Sequence, residues 1–287
     1  MGKREVTRVF GGTATRDGAG VTLERVFGWG KEKLFDPFLL LDSFGSKDPR
    51  DYLPGFPFHP HRGIETVTYM LEGKVKHRDS LGNQGTIGPG DIQWMTAGGG
   101  IIHEEMPQKS PEGVRGLQLW VNLPQKHKMT SPKYRDLVAS EIPSVKLDTS
   151  EVKIIAGSYR DVPGALRDII INPTYLDINL YPQETLDLEA SLGETVFAFL
   201  YEGNLGVKNA TEPEELFQAG SCILFGDGEG VDVFSGSNGA RFIFLRGKPL
   251  KEPVAWGGPI VMNTQKELDQ AFREYAGGTF LKGGKNS

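Results

Sequence analysis

The chain has 287 residues, 38% of them hydrophobic, with 32 basic and 37 acidic side chains and a formal net charge of -5. That length supports a sizeable buried core and favours two domains. The acidic balance, with no run of Lys or Arg longer than two, argues against direct nucleic-acid binding, and the single cysteine, Cys222, excludes an internal disulfide.

No apolar stretch approaches the length of a membrane span. The start, Met1-Gly2-Lys3-Arg4-Glu5-Val6, has no signal-peptide run and no Ser or Thr at position 6 for myristoylation. The expectation is a soluble, cytoplasmic protein with no membrane partner, a nuclear location being open in a eukaryote.

In chain order, strand-like runs span Glu65 to Leu71, Ile92 to Met95, Leu117 to Val121, Val152 to Ala156, Ile169 to Ile171, Thr195 to Tyr201, Ile223 to Phe225 and Phe242 to Leu245. In Leu117-Gln118-Leu119-Trp120-Val121, Gln118 breaks the apolar run with the period of a half-buried strand. Turn signals separate the runs, among them Gly88-Pro89-Gly90-Asp91 and Gly98-Gly99-Gly100. With 38 Gly and 18 Pro, the composition suits many short strands, and the fold class expected is all-β.

The halves echo each other. Glu65-Thr66-Val67 leads to Glu72-Gly73, and Glu194-Thr195-Val196 leads to Glu202-Gly203, with Gly90 and Gly220 following at equal spacing. So long a repeat points to duplicated β-domains, expected as a metal-binding barrel over 1–130 and a metal-free one over 131–287. Asn122 to Pro143, rich in Pro and charge, reads as a linker with one short helix after Ser131. Thr264-Gln265-Lys266-Glu267 has the form of a capping box. Leu268, Ala271, Phe272 and Tyr275 then share one face of a short C-terminal α-helix.

All five histidines fall between positions 59 and 127. Side chains two apart on a strand share a face, so His59 pairs with His61, and His103 with Glu105. Three imidazoles and a carboxylate suit one divalent transition metal, with Fe, Cu, Ni, Mn and Zn all compatible with the donors. Parity favours Glu105 over Glu104, while Glu65 shares the parity of His61 and is a further candidate. Its duller role is a hydrogen bond to a histidine ring or to backbone.

His77 reads as solvated or supporting, His127 as a surface group, and Cys222 as a small buried apolar residue. Trp94, Met95, Ile101, Ile102 and Trp120 are candidates for an apolar pocket wall or for ordinary core. At the repeat offset, His59, His61, His103 and Glu105 map onto Leu188, Ala190, Val233 and Ser235. None of these is a usual transition-metal ligand.

With Asp36-Pro37-Phe38-Leu39-Leu40, Phe58-His59-Pro60-His61-Arg62-Gly63-Ile64-Glu65-Thr66-Val67, Pro89-Gly90-Asp91-Ile92-Gln93-Trp94-Met95-Thr96-Ala97-Gly98 and Gly100-Ile101-Ile102-His103-Glu104-Glu105-Met106-Pro107, the chain resembles the pirins of the cupin superfamily. The likeness continues through Gly116 to Leu123 and more sparsely through Gly258 to Thr264.

The resemblance implies two stacked jelly-roll (cupin) barrels and an iron, Fe(II), held at His59, His61, His103 and Glu105. It also implies one of two activities. The first is opening of quercetin-type flavonols with O2 and release of carbon monoxide; for that chemistry Glu105, the only charged residue of the set, is the natural catalytic proton acceptor. The second is a non-catalytic iron redox sensor or transcription cofactor acting through a protein partner. A monomer is the default expectation.

Overall fold

The computed structural model describes residues 2–208 and 215–282. Strands dominate, and among the described residues the longest helix is Gln265–Ala276. The fold is all-β with a C-terminal helix.

Two compact units divide the chain: Met1–Gly12, Leu34–Pro37 and Ser140–Pro249 form one, and Thr13–Lys33, Phe38–Ala139 and Leu250–Ser287 form the other. This differs from the linear cut expected at 130/131 in two ways. The N-terminal strand Val6–Gly11 pairs with Ser221–Phe225 in the unit built mainly from the second half. The C-terminal helix belongs to the histidine-bearing unit, where Leu268 and Ala271 cluster with Ile260, Met262 and Phe280.

An edge strand leaves a row of backbone donors and acceptors open, and a terminal strand added to it satisfies them. An apolar helix stripe likewise follows whichever surface buries it. Only half of this stripe is covered, since Phe272 and Tyr275 stay 42% and 41% exposed.

In the histidine-bearing unit the main sheet runs Lys133–Leu137, Ile92–Thr96, Ile64–Glu72, Val114–Asn122, Phe38–Ser46, Val21–Phe27, Thr13–Asp17. In the other unit the path is Val6–Gly11, Ser221–Phe225, Thr195–Val207, Gly230–Gly247, Thr174–Leu180, Ser150–Ala156, Ser144–Lys146. Six of the seven places match, as duplication requires, while the edge place is filled by Lys133–Leu137 in one unit and by Val6–Gly11, from the other end of the sequence, in the other. Gly73 and Gly203 even share a left-handed φ, +75° and +76°, and a Cβ there would lie 2.6 and 2.1 Å from the carbonyl oxygens of Gly113 and Gly239.

Two expected elements change. The helix expected after Ser131 is a strand, Lys133–Leu137, paired with Ile92–Thr96, so tertiary pairing overrides a locally ambiguous segment. The strand expected at Ile169–Ile171 is bend, set between Asp168 and Asn172 at φ of +60° and +48°, and the pairing strand begins at Thr174.

Where the histidine positions map in the other unit, Leu188 pairs with Val231 and Leu186 with Val233, all inside a continuous apolar core.

A candidate metal centre in the histidine-bearing unit

Phe56–His61 and Ile101–Pro107 pair antiparallel in a second, four-stranded sheet, with His59 directly opposite His103 and Ile101 opposite His61. Strand alternation therefore sends the three rings to one side. Their nitrogens cluster within 4.8 Å of one another. His59 Nε2 lies 3.0 Å from both His61 Nε2 and His103 Nε2. His61 and His103 are 2% and 1% exposed, while His59 is half-buried.

The outer nitrogens decide what this cluster can hold. His59 Nδ1 faces the Pro57 carbonyl at 2.9 Å and His61 Nδ1 faces the Pro259 carbonyl at 3.1 Å. A carbonyl can only accept, so each Nδ1 carries the proton. In neutral rings both Nε2 atoms are then bare lone pairs 3.0 Å apart, an arrangement a shared cation relieves. Burial, reinforced by the neighbouring histidines, holds His61 and His103 well below the usual histidine range. The residues present fit a divalent transition metal.

Glu105 is buried and lines the same cavity as His59 and His61. A register shift between His103 and Glu105 sets Glu105 opposite Phe56, and Thr68 Oγ1 lies 2.7 Å from Glu105 Oε1 and 2.7 Å from Gln118 Oε1. Glu65 is not among the residues that line this cavity. It is fully buried and accepts from Thr96 Oγ1 at 2.7 Å, and burial raises its pKa.

Glu104 turns away to an ion pair with Arg78. His77 is 4% exposed, stacked on Tyr134 and hydrogen bonded to its hydroxyl, so it is a packed group and not a solvated one. His127 lies half-buried in a short 3-10 turn, and Cys222 is fully buried.

His59 and His61 line a cavity of about 840 Å³. His61 meets Trp120 edge-on at 5.1 Å, Trp120 lies 6.0 Å from Trp256, and Trp256 lies 5.9 Å from Trp29, which is 70% exposed. Of the five wall candidates read from sequence, Trp120 alone lines this cavity; Trp94, Met95 and Ile101 are fully buried core, and Ile102 packs towards the C-terminal helix.

Two family models match the chain, Pirin over residues 20–121 and Pirin C-terminal cupin domain over 175–281. The chain belongs to the pirin family. A Pirin-like protein of Caulobacter vibrioides is 43% identical, covering 98% of this chain and all of that protein. A Pseudomonas aeruginosa protein provisionally named a quercetin 2,3-dioxygenase is also 43% identical, over 96% of this chain and 97% of its own length. Among solved structures, a quercetin 2,3-dioxygenase from Acinetobacter baumannii superposes with a TM-score of 0.88 at 32% identity, covering 97% of this chain and 99% of that one.

The family motifs lead to the histidines, but the places of several other cavity residues, some inside those motifs and some outside, were not read from them. Pro259, which orients His61, and Trp256, which walls the cavity, come from the hairpin Ala255–Gly257 and Ile260–Met262, far along the sequence. Thr68, Asp42 and Gln118 are polar residues in apolar strands. Gln118 and Trp120 face the cavity, while Leu117, Leu119 and Val121 are fully buried on the other side of their strand. A polar residue inside an apolar strand was the one signal that could have found them.

Proposed function

We propose that the chain opens the central ring of quercetin-type flavonols with O2, releasing carbon monoxide. His59, His61 and His103 would hold a divalent transition metal, iron by family resemblance, with Glu105 as the fourth donor. When bound, such a metal supplies a Lewis-acid contact that acidifies a coordinated hydroxyl and gives redox access to O2.

The observation that carries this reading is the convergence of three imidazoles, two of them buried, beside a large cavity that His59 and His61 line together with a tryptophan wall. A cavity of about 840 Å³ is within the usual range for a small-molecule site, and Trp120 and Trp256 present aromatic surface to a flat ring. Burial keeps His61 and His103 unprotonated, as donors must be.

Glu105 takes the proton of the flavonol hydroxyl at Oε1, the atom that Thr68 contacts. One hydroxyl proton cannot serve both Glu105 and Gln118. With Glu105 ionised, Thr68 donates to it; with Glu105 protonated, the carboxyl donates to Thr68, which turns its own proton to Gln118. The Thr68 hydroxyl thus has a partner in either protonation state, and its bond to Gln118 forms only when Glu105 is protonated.

Anaerobic loading with iron or copper, followed by quercetin and O2, is expected to bleach the flavonol absorbance and to release carbon monoxide. Loaded protein that does neither contradicts the proposal.

A further inference from the structure

A polar row crosses the cavity face of the main sheet. Arg25 is register partner to Asp42, Asp42 to Gln118, and Gln118 to Thr68, so four neighbouring strands each contribute one residue at one level. All four line the cavity, as does Glu105, which Thr68 contacts. Adjacent strands lie about 4.8 Å apart, so Asp42 stands two strand spacings, about 10 Å, from Thr68's strand, and Arg25 about 14 Å.

The rows on either side are largely apolar, with Leu23 opposite Phe44, and Leu40 opposite Trp120.

The fold does not demand this row. In the other unit, Thr174–Leu180 occupies the sheet position of Phe38–Ser46, and its core-facing residues Leu176, Ile178 and Leu180 meet Phe244, Phe242 and Ala240. Asp42 is 4% exposed and gripped by Arg25, Nε to Oδ1 at 2.9 Å and Nη2 to Oδ2 at 2.7 Å. Such a pair costs desolvation that well-packed apolar side chains would avoid, which points to a use other than stability.

Each Asp42 oxygen spends one lone pair on Arg25 and keeps another. Arg25 Nη2 also donates to Asp17 at 2.8 Å, so one positive and two negative charges leave the trio at -1. A negatively charged acceptor group selects a neutral ligand that presents an O–H, and disfavours an anion.

We propose that Asp42, oriented by Arg25, accepts a hydrogen bond from a phenolic hydroxyl on the pendant ring of a flavonol whose central-ring hydroxyl lies at the histidines. The pair then acts as a specificity determinant that favours hydroxylated pendant rings. The inference rests on the flavonol reading of the site, and the length of the polar row is comparable to the long axis of a three-ring flavonol.

The test is equilibrium binding to metal-loaded protein under nitrogen, where no O2 is available to consume the ligand. Quenching of tryptophan emission is followed for quercetin, with two pendant-ring hydroxyls, and for galangin, with none. Wild-type protein is expected to bind quercetin about tenfold more tightly, the scale of one hydrogen bond to a charged group. In the double variant Arg25→Leu with Asp42→Leu, which removes both partners and strands neither, the ratio is expected to fall close to one.

Equal binding of both flavonols by wild-type protein overturns the inference without any variant, and so does a double variant that keeps the preference. If both flavonols bind and turn over without discrimination, only this inference fails. If neither binds, the flavonol reading fails with it.

Discussion

At His61 the proton is placed by Pro259, some two hundred positions away in sequence, and the lone pair left on Nε2 is what a metal can use. Removing that ring takes away one donor of three. His61→Ala is therefore expected to purify without metal by elemental analysis while keeping the far-ultraviolet circular dichroism of wild type; full occupancy in the variant contradicts the ligand set. Glu105 is expected to act on the proton of the substrate hydroxyl. Glu105→Gln keeps the shape and removes the basic group, and turnover is expected to fall about a hundredfold or more. A variant that turns over at the wild-type rate assigns the proton to another acceptor.

At the scale of elements, the segment after Pro249 fastens the histidine strand. Arg62, next to His61, is 2% exposed, paired with Glu274 at 2.8 Å, bonded to the Phe280 carbonyl at 2.6 Å and stacked on the Phe280 ring. Partial burial pushes the Glu274 carboxyl up, but hydrogen bonds from Gln270, Lys282 and Arg62 outweigh it and hold the group at about 2. A depressed carboxyl pKa contributes stability that is complete above the ordinary glutamate range and is lost as pH falls towards about 2. Acidification through that window is expected to lower the hydrogen-exchange protection factors of Gln265–Ala276, each taken against the intrinsic rate at that pH, and Glu274→Gln is expected to flatten the dependence.

Lys128 is a second fastener. Its Nζ donates to the carbonyls of Gly63 and Val261 at 2.8 and 2.9 Å and to Asn122 Oδ1 at 2.5 Å, while burial pulls its pKa down to about 7. Lys128→Met strands three buried acceptors, so a loss of about 2–4 kcal/mol is expected in chemical denaturation. A loss below about 0.5 kcal/mol contradicts this role.

Over the whole molecule, the histidine-bearing unit is assembled from three stretches of chain, the last beginning at Leu250. A chain ending at Pro249 loses the partner of His61 Nδ1, the Trp256 wall and both fasteners, so its metal content is expected to fall even though every histidine is present. Unchanged metal content in that truncation contradicts the account.

Much was legible in the sequence because strand parity is local: His59, His61 and His103 lie two apart or directly across one register, and the capping box at Thr264 forms as its spacing predicts. The assembly of the units was not legible, because neither the edge joined by Val6–Gly11 nor the surface under the last helix is encoded near those residues. Glu105 lines the cavity as its parity suggested, but the register shift after His103 and the contact with Thr68 across the cavity were not legible in its local sequence.

Everything proposed for this site depends on three imidazoles holding one ion. X-ray absorption on protein purified without chelator, compared with His103→Ala, tests it most directly. The account predicts one ion per chain with histidine nitrogens in its coordination sphere, lost in the variant; an ion that persists in His103→Ala with unchanged coordination would contradict it.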